Sequence, residues 1–324
     1  MTRVTASAPG KVIVSGEYAV LDGAPAICMA VNRRARVSIV AADASRHTVS
    51  APGYLAKPRS FESIEESANV LPLLTAVWRR MPISQQGYFD IELDSRSFRA
   101  AAGTKLGVGS SAAIAVALAA ALDRIAVASS DVGDVAAEAH RESQGGSGSG
   151  VDVACSVAGN VIQYRMQGRE SQARTWPAGL HYALLWSGRS ADTATQLEKL
   201  AGTDAKASRA GLVEAANAVA AAWQDSEVSN IVTALRNYTD SLRRFDIDHR
   251  LGIFDAGHAE LADVAATGDV VYKPCGAGGG DLGMAVSASK TALAEFVAVA
   301  EGRNFEPLDL EIDVDGVEAE GSII

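Results

Sequence analysis

The sequence predicts an α+β protein built in two closely packed halves. Three observations carry this: residues 3–41 alternate apolar and polar positions, helical periodicity takes over in the middle of each half, and the chain closes in the order strand, glycine loop, strand, helix, strand. With 324 residues and 48% hydrophobic content, the chain has material for a substantial core, in two domains or one large unit.

Pro9-Gly10, Gly16, Asp22-Gly23 and Pro25 punctuate the opening, so it reads as short strands joined by tight turns. Apolar spacing then predicts a helix over 67–80 and a strand over 88–93. A helix is predicted from Ser110 to about Ala126; its Ala-rich run, Ala112 to Leu122, is too short to span a membrane, is closed by Asp123 and Arg124, and reads as buried in a soluble core. Further helices are predicted over 131–142 and from Val151, with a strand returning over 161–165. The polar stretch 168–179, which contains Pro177, places the domain boundary, giving units 1–172 and 173–324. The second unit opens with a strand over 181–186 and continues through helices near 193–200, 206–224, 228–245 and 249–266. Strands over 270–272 and 282–286 then flank the glycine loop.

A formal net charge of −10 argues against a nucleic-acid or anionic-membrane partner, so an anionic substrate must meet a locally positive pocket. Residues 1–7 lack the apolar core of a signal peptide. Cys28, Cys155 and Cys275 are odd in number and show no metal-type spacing, which fits a reduced cytoplasmic setting. Small-molecule partners are expected, with a monomer or homodimer.

Four segments carry chemistry. Gly107-Val108-Gly109-Ser110-Ser111-Ala112 runs straight into the Ala-rich helix, so backbone N–H groups, a helix N-terminus and two hydroxyls converge on one point, as a phosphate cradle requires. Alone it reads equally well as a Ser-capped helix after a glycine turn. Ala8-Pro9-Gly10-Lys11 places an ammonium on a rigid strand, where it can stabilise phosphoryl oxygens, and Gly16-Glu17-Tyr18 follows it. Gln144-Gly145-Gly146-Ser147-Gly148-Ser149-Gly150-Val151-Asp152 presents an acid behind small residues, or else a loop whose Asp caps the next helix. Lys273-Pro274-Cys275-Gly276-Ala277-Gly278-Gly279-Gly280-Asp281 sets four glycines within five residues between two strands, which suits close backbone approach to a ligand.

In this order and spacing the segments resemble the three motifs of the GHMP kinase superfamily, from Ser7 to about Ser287. Within it the chain looks most like the phosphomevalonate kinases, on the strength of residues 273–281, 148–154 and Leu185-Trp186-Ser187-Gly188-Arg189-Ser190-Ala191-Asp192-Thr193. The resemblance implies an N-terminal domain with a ribosomal-protein-like βαβ arrangement, a ferredoxin-like C-terminal domain, and a cytoplasmic enzyme of isoprenoid biosynthesis. It would use ATP and Mg²⁺ to convert 5-phosphomevalonate into 5-diphosphomevalonate.

By matching position, Lys11 and Asp152 are the catalytic candidates and residues Gly107 to Ala112 hold the nucleotide. Ser110, Ser111 and Glu138 are candidate Mg²⁺ ligands. Tyr18, Ser147, Ser149, Arg189, Cys275, Gly276, Ala277 and Gly278 are candidate acceptor contacts, with Lys105, His140 and Arg141 as further basic groups. Cys275 stands where phosphomevalonate kinases usually carry Ser, which exchanges a hydroxyl for a weaker thiol donor. Mevalonate kinase or another small-alcohol kinase of the same superfamily is the alternative reading. A non-catalytic sensor is disfavoured because Lys11, Ser110, Ser111 and Asp152 are all present.

Overall fold

Two long strands, β1 (Arg3–Ser15) and β2 (Ala26–Ala42), form the spine of a computed structural model that describes residues 3–83, 87–146, 148–190, 200 and 206–322. The sequence predicted short strands here. Instead of ending β1, Pro9-Gly10 shifts its register against β2, a bulge that bends the strand without breaking it. Gly10 has a second use: a Cβ there would lie 2.5 Å from the Val108 carbonyl oxygen, so only glycine lets the strand approach the phosphate-cradle loop this closely.

The first sheet continues through β3 (His47–Ser50), β4 (Arg59–Phe61), β5 (Tyr88–Asp94), β6 (Val161–Arg165), β7 (Glu170–Arg174) and β12 (Glu318–Gly321). Its order is β12-β1-β2-β5-β3-β4, with β6 pairing β2 and β7. Helices α1 (Pro72–Trp78), α2 (Ser110–Asp123), α3 (Val132–Ser143) and α4 (Val151–Ala158) pack with it. As predicted, α2 is central, and every residue from Ala112 to Leu122 is buried. The helix expected over 67–80 is shorter because a 3₁₀ turn ends at Ser67 and Pro72 starts α1 at its first turn. Strand β7 was not predicted, since its residues are largely exposed and carry no apolar alternation. The expected division at 172/173 falls within it, and β12 returns from the far end of the chain to β1.

The second sheet is antiparallel, in the order β11 (Glu306–Leu308), β8 (His181–Trp186), β10 (Leu282–Ser287), β9 (Val271–Pro274). Its helices are α5 (Lys206–Asp225), α6 (Val228–His249), α7 (His258–Ala266) and α8 (Lys290–Glu301). Of the helix predicted over 193–200, all but Leu200 lies outside the described residues.

The helix predicted over 249–266 is corrected. Residues 250–257 form a loop because the Asp246 carboxylate accepts the amides of Gly252 (2.7 Å), Ile253 (2.9 Å) and Phe254 (3.1 Å), and Arg250, Gly252 and Gly257 take left-handed φ. One hydrophobic cluster joins both sheets, with Ile27, Leu118, Leu185 and Tyr272 among its members.

Candidate active site

The cradle is built by glycines. Gly109 caps α2 at φ 81°, and no side chain caps that end, so the first amides of the helix have no intrahelical partner. With the helix dipole behind them, these amides make an anion site. Val108 is fixed against β1, where the Lys11 amide donates to its carbonyl at 2.9 Å. The Lys11 stem lies against Gly109, where a Cβ would come within 3.0 Å of its Cγ.

A cleft of about 680 Å³ opens in front of this cradle. It is lined by Lys11, Lys105, the loop 107–111, Ser149 and Asp152 on one side, and by Glu17, Tyr18, Gly276, Ala277 and Asp281 on the other. An adjoining recess of about 210 Å³ is mostly apolar, with Leu71, Leu74, Leu93 and Ile114 in its walls. The two share Phe98, Lys105, Ser110, Ser111 and Ser143, so a ligand with a flat apolar end and a polyanionic end can occupy both.

Asp152 sits in the first turn of α4 and lines the cleft with Lys11. Gly150 caps this helix at φ 81°, and the Tyr164 hydroxyl beside it donates to the Ser149 carbonyl at 2.9 Å, holding the loop against β6. On the opposite wall Tyr18 takes the left-handed φ of 59°, a strained choice for an aromatic residue, and its phenol donates to the Ala277 carbonyl at 2.6 Å. Burial raises the Tyr18 pKa, with the Asp246 and Glu17 charges adding to the shift. Its hydroxyl therefore ties the wall together rather than waiting for a ligand.

The structure thus brings together Lys11, Asp152, Gly107, Val108, Gly109, Ser110, Ser111, Tyr18, Ser149, Gly276 and Ala277. Ala112 is buried and can offer only its backbone. Gly278 packs against Ile253, outside the cleft lining. Cys275 is buried too, its thiol 3.9 Å from the Lys273 ammonium and its pKa pushed up to about 11 by burial, so the exchange of Ser for Cys falls behind the wall. Arg189 is exposed; its carbonyl accepts the Asp281 amide at 2.7 Å while Ser190 lines the cleft.

Glu138 pairs with Arg169 and does not reach the cradle. In its stead buried His140 places Nε2 2.9 Å from the Ser111 hydroxyl. Arg141 donates to the Gly146 carbonyl at 3.0 Å, shaping the loop before Asp152. Ser147 lies outside the described residues.

Residues 72–160 match the family of GHMP kinases, N-terminal domain, a span that contains the cradle and Asp152. The chain is 27% identical to the phosphomevalonate kinase of Streptomyces sp. over 86% of its own length and 88% of that enzyme's. The chain carries a GHMP kinase N-terminal domain. With the similarity to a phosphomevalonate kinase, that domain marks it as a phosphotransferase. The chain is also 33% identical to the mevalonate kinase of Methanothermobacter thermautotrophicus, over 52% of the chain and 53% of that protein. Its fold superposes on the Streptococcus pneumoniae phosphomevalonate kinase in complex with phosphomevalonate and AMPPNP, with a TM-score of 0.81 and 17% identity over 95% and 99% of the two chains.

Two groups of residues escaped the sequence reading. Phe98 and Leu21 line the cleft without any motif to mark them. Tyr238 stands behind it with its hydroxyl on Glu17, and Lys273, which opens the third motif, gains its place only from the buried pair with Glu17.

Proposed function

We propose that this GHMP kinase transfers the γ-phosphoryl group of ATP to 5-phosphomevalonate, releasing ADP and 5-diphosphomevalonate. The observation that carries this is the near full-length similarity to a phosphomevalonate kinase, joined to a cleft in which Lys11 and Asp152 face a helix-capped cradle. The apolar recess takes the base, and the free amides at the start of α2 take the phosphates.

An acceptor phosphate oxygen is already largely ionised at neutral pH, so alignment and charge neutralisation outweigh proton removal. Lys11 offsets charge on the transferring group, and Asp152 orients the attacking oxygen, taking its proton where one remains. Lys105 and Lys11 are the cationic side chains in the lining and supply its positive potential.

Bound with the triphosphate, Mg²⁺ would neutralise charge between its phosphates, with the Ser110 and Ser111 hydroxyls as ligands. No group of three or more His, Cys, Asp or Glu among the described residues forms a cage of its own, which suits a cation that arrives on the nucleotide. Three free buried cysteines favour a reducing cytoplasm. No described helix is long and apolar enough to cross a membrane.

ADP release measured with mevalonate and with 5-phosphomevalonate as separate acceptors tests the assignment. Turnover of mevalonate alone overturns it. Asp152→Asn and Lys11→Met should each lower kcat by about 10²-fold or more while nucleotide affinity stays nearly intact. Near-normal turnover in either variant removes that residue from the mechanism.

A further inference from the structure

The acceptor wall is tied to the catalytic strand by a buried ion pair that touches neither the cradle nor Asp152. Lys273 Nζ lies 2.5 Å from Glu17 Oε1, and the two side chains are 3% and 1% exposed. Nζ also donates to the Pro274 carbonyl at 2.9 Å. Glu17 Oε2 accepts the Tyr238 hydroxyl at 2.8 Å, and that same oxygen of Tyr238 accepts the Gly16 amide at 3.0 Å. The cluster therefore joins three segments: the exit of β1, helix α6 and the exit of β9.

A buried ion pair seldom stabilises a fold more than well-packed apolar side chains in its place would. What it does supply is directional restraint. Here the restraint acts next to a second tie, since the residue after Glu17 is the strained Tyr18, bonded to Ala277 two residues beyond Cys275. One tie lies beneath the wall and one lies on its surface.

We propose that Glu17 and Lys273 are positioning residues: their ion pair sets Tyr18 and the loop 275–278 in register with each other, and so shapes the acceptor side of the cleft. This rests on the reading that the wall meets the acceptor. Removing one partner strands a buried charge and tests only folding, so the informative variant removes both, Glu17→Met with Lys273→Met. In it Tyr238 keeps the Gly16 amide and the Glu17 carbonyl as partners.

The double variant should melt close to the wild type and hold ADP with unchanged Kd. Amide hydrogen exchange should quicken by about tenfold at 16–18 and at 276–278 together, with the α2 core unaffected. KM for 5-phosphomevalonate should rise about tenfold while KM for ATP holds, because misplacement of one wall is felt only by the ligand that touches it. Unchanged exchange at both segments in the folded variant overturns the proposal, whatever acceptor the enzyme uses. Absence of 5-phosphomevalonate turnover in the wild type overturns the acceptor assignment instead, and the exchange result still decides the positioning role. Should the double variant not fold, Glu17→Gln with Lys273→Met, which removes both charges and keeps a polar side chain beside Tyr238, takes its place under the same exchange criterion.

Discussion

Gly107 shows how little room separates the cradle from the loop that faces it. Its φ is 78°, and a Cβ there would fall 2.4 Å from the Asp281 Cβ. Gly107→Ala should therefore cost about 1–3 kcal/mol from the left-handed backbone and the displaced aspartate. A chemical-denaturation midpoint unchanged from wild type would contradict this.

His258 makes a second expectation at the same scale. Gly280 O, 3.0 Å from Nε2, can only accept, so Nε2 carries the proton and Nδ1, at 2.7 Å, accepts from the Tyr272 hydroxyl. Burial lowers its pKa from 6.5 to about 4. The unfolded chain thus binds a proton below pH 6.5 that the fold refuses until about pH 4. Stability is full above pH 6.5 and is lost as pH falls through that window, by about 3 kcal/mol in total. Urea midpoints from pH 4 to 7 should show this slope in the wild type and a flatter one in His258→Gln.

The cleft residues that could be read from sequence were those announced by glycine. Lys11, Asp152 and the 107–111 cradle each stand beside a backbone that only small residues permit, and order along the chain did the rest. Tyr18 also sat in a motif, yet where its side chain points depends on a bond to Ala277, far along the chain. Lys273 opened the third motif without a role of its own, because burial of a charge leaves no local mark.

Among elements, the turn over 250–257 is the clearest case of a tertiary preference defeating local periodicity. The apolar spacing continues from α6 into α7, but one carboxylate captures three amides and stops the helix. The turn then supports the third motif, since the Gly279 amide donates to the Ile253 carbonyl at 2.8 Å and Gly278 packs on the same residue. Asp246→Ala leaves three amides without their acceptor and should destabilise by about 2–4 kcal/mol, read from urea unfolding. A loss below 0.5 kcal/mol would show that the turn holds without it. Strand β7 was missed for a plainer reason, as an exposed element carries too few apolar positions to show a period.

For the whole molecule there are two sheets, and the core does not divide with them. Residues of both sheets share one hydrophobic cluster, and Arg34 near the start of the chain holds Asp313 by two bonds of 2.7 Å. Calorimetry should accordingly record a single unfolding transition. Two resolved peaks would show that the halves melt separately.

The pairing of β12 with β1 also sets a schedule. Along one side the strand that carries Lys11 meets β2, but Val4 to Ser7 on the other side are covered only by residues 318–321. At ~5–20 residues per second of synthesis, roughly 300 residues separate the two strands by about 15–60 seconds. Throughout that interval the nascent chain carries an open strand edge, available to a chaperone or to another nascent copy, until residues 318–321 close it.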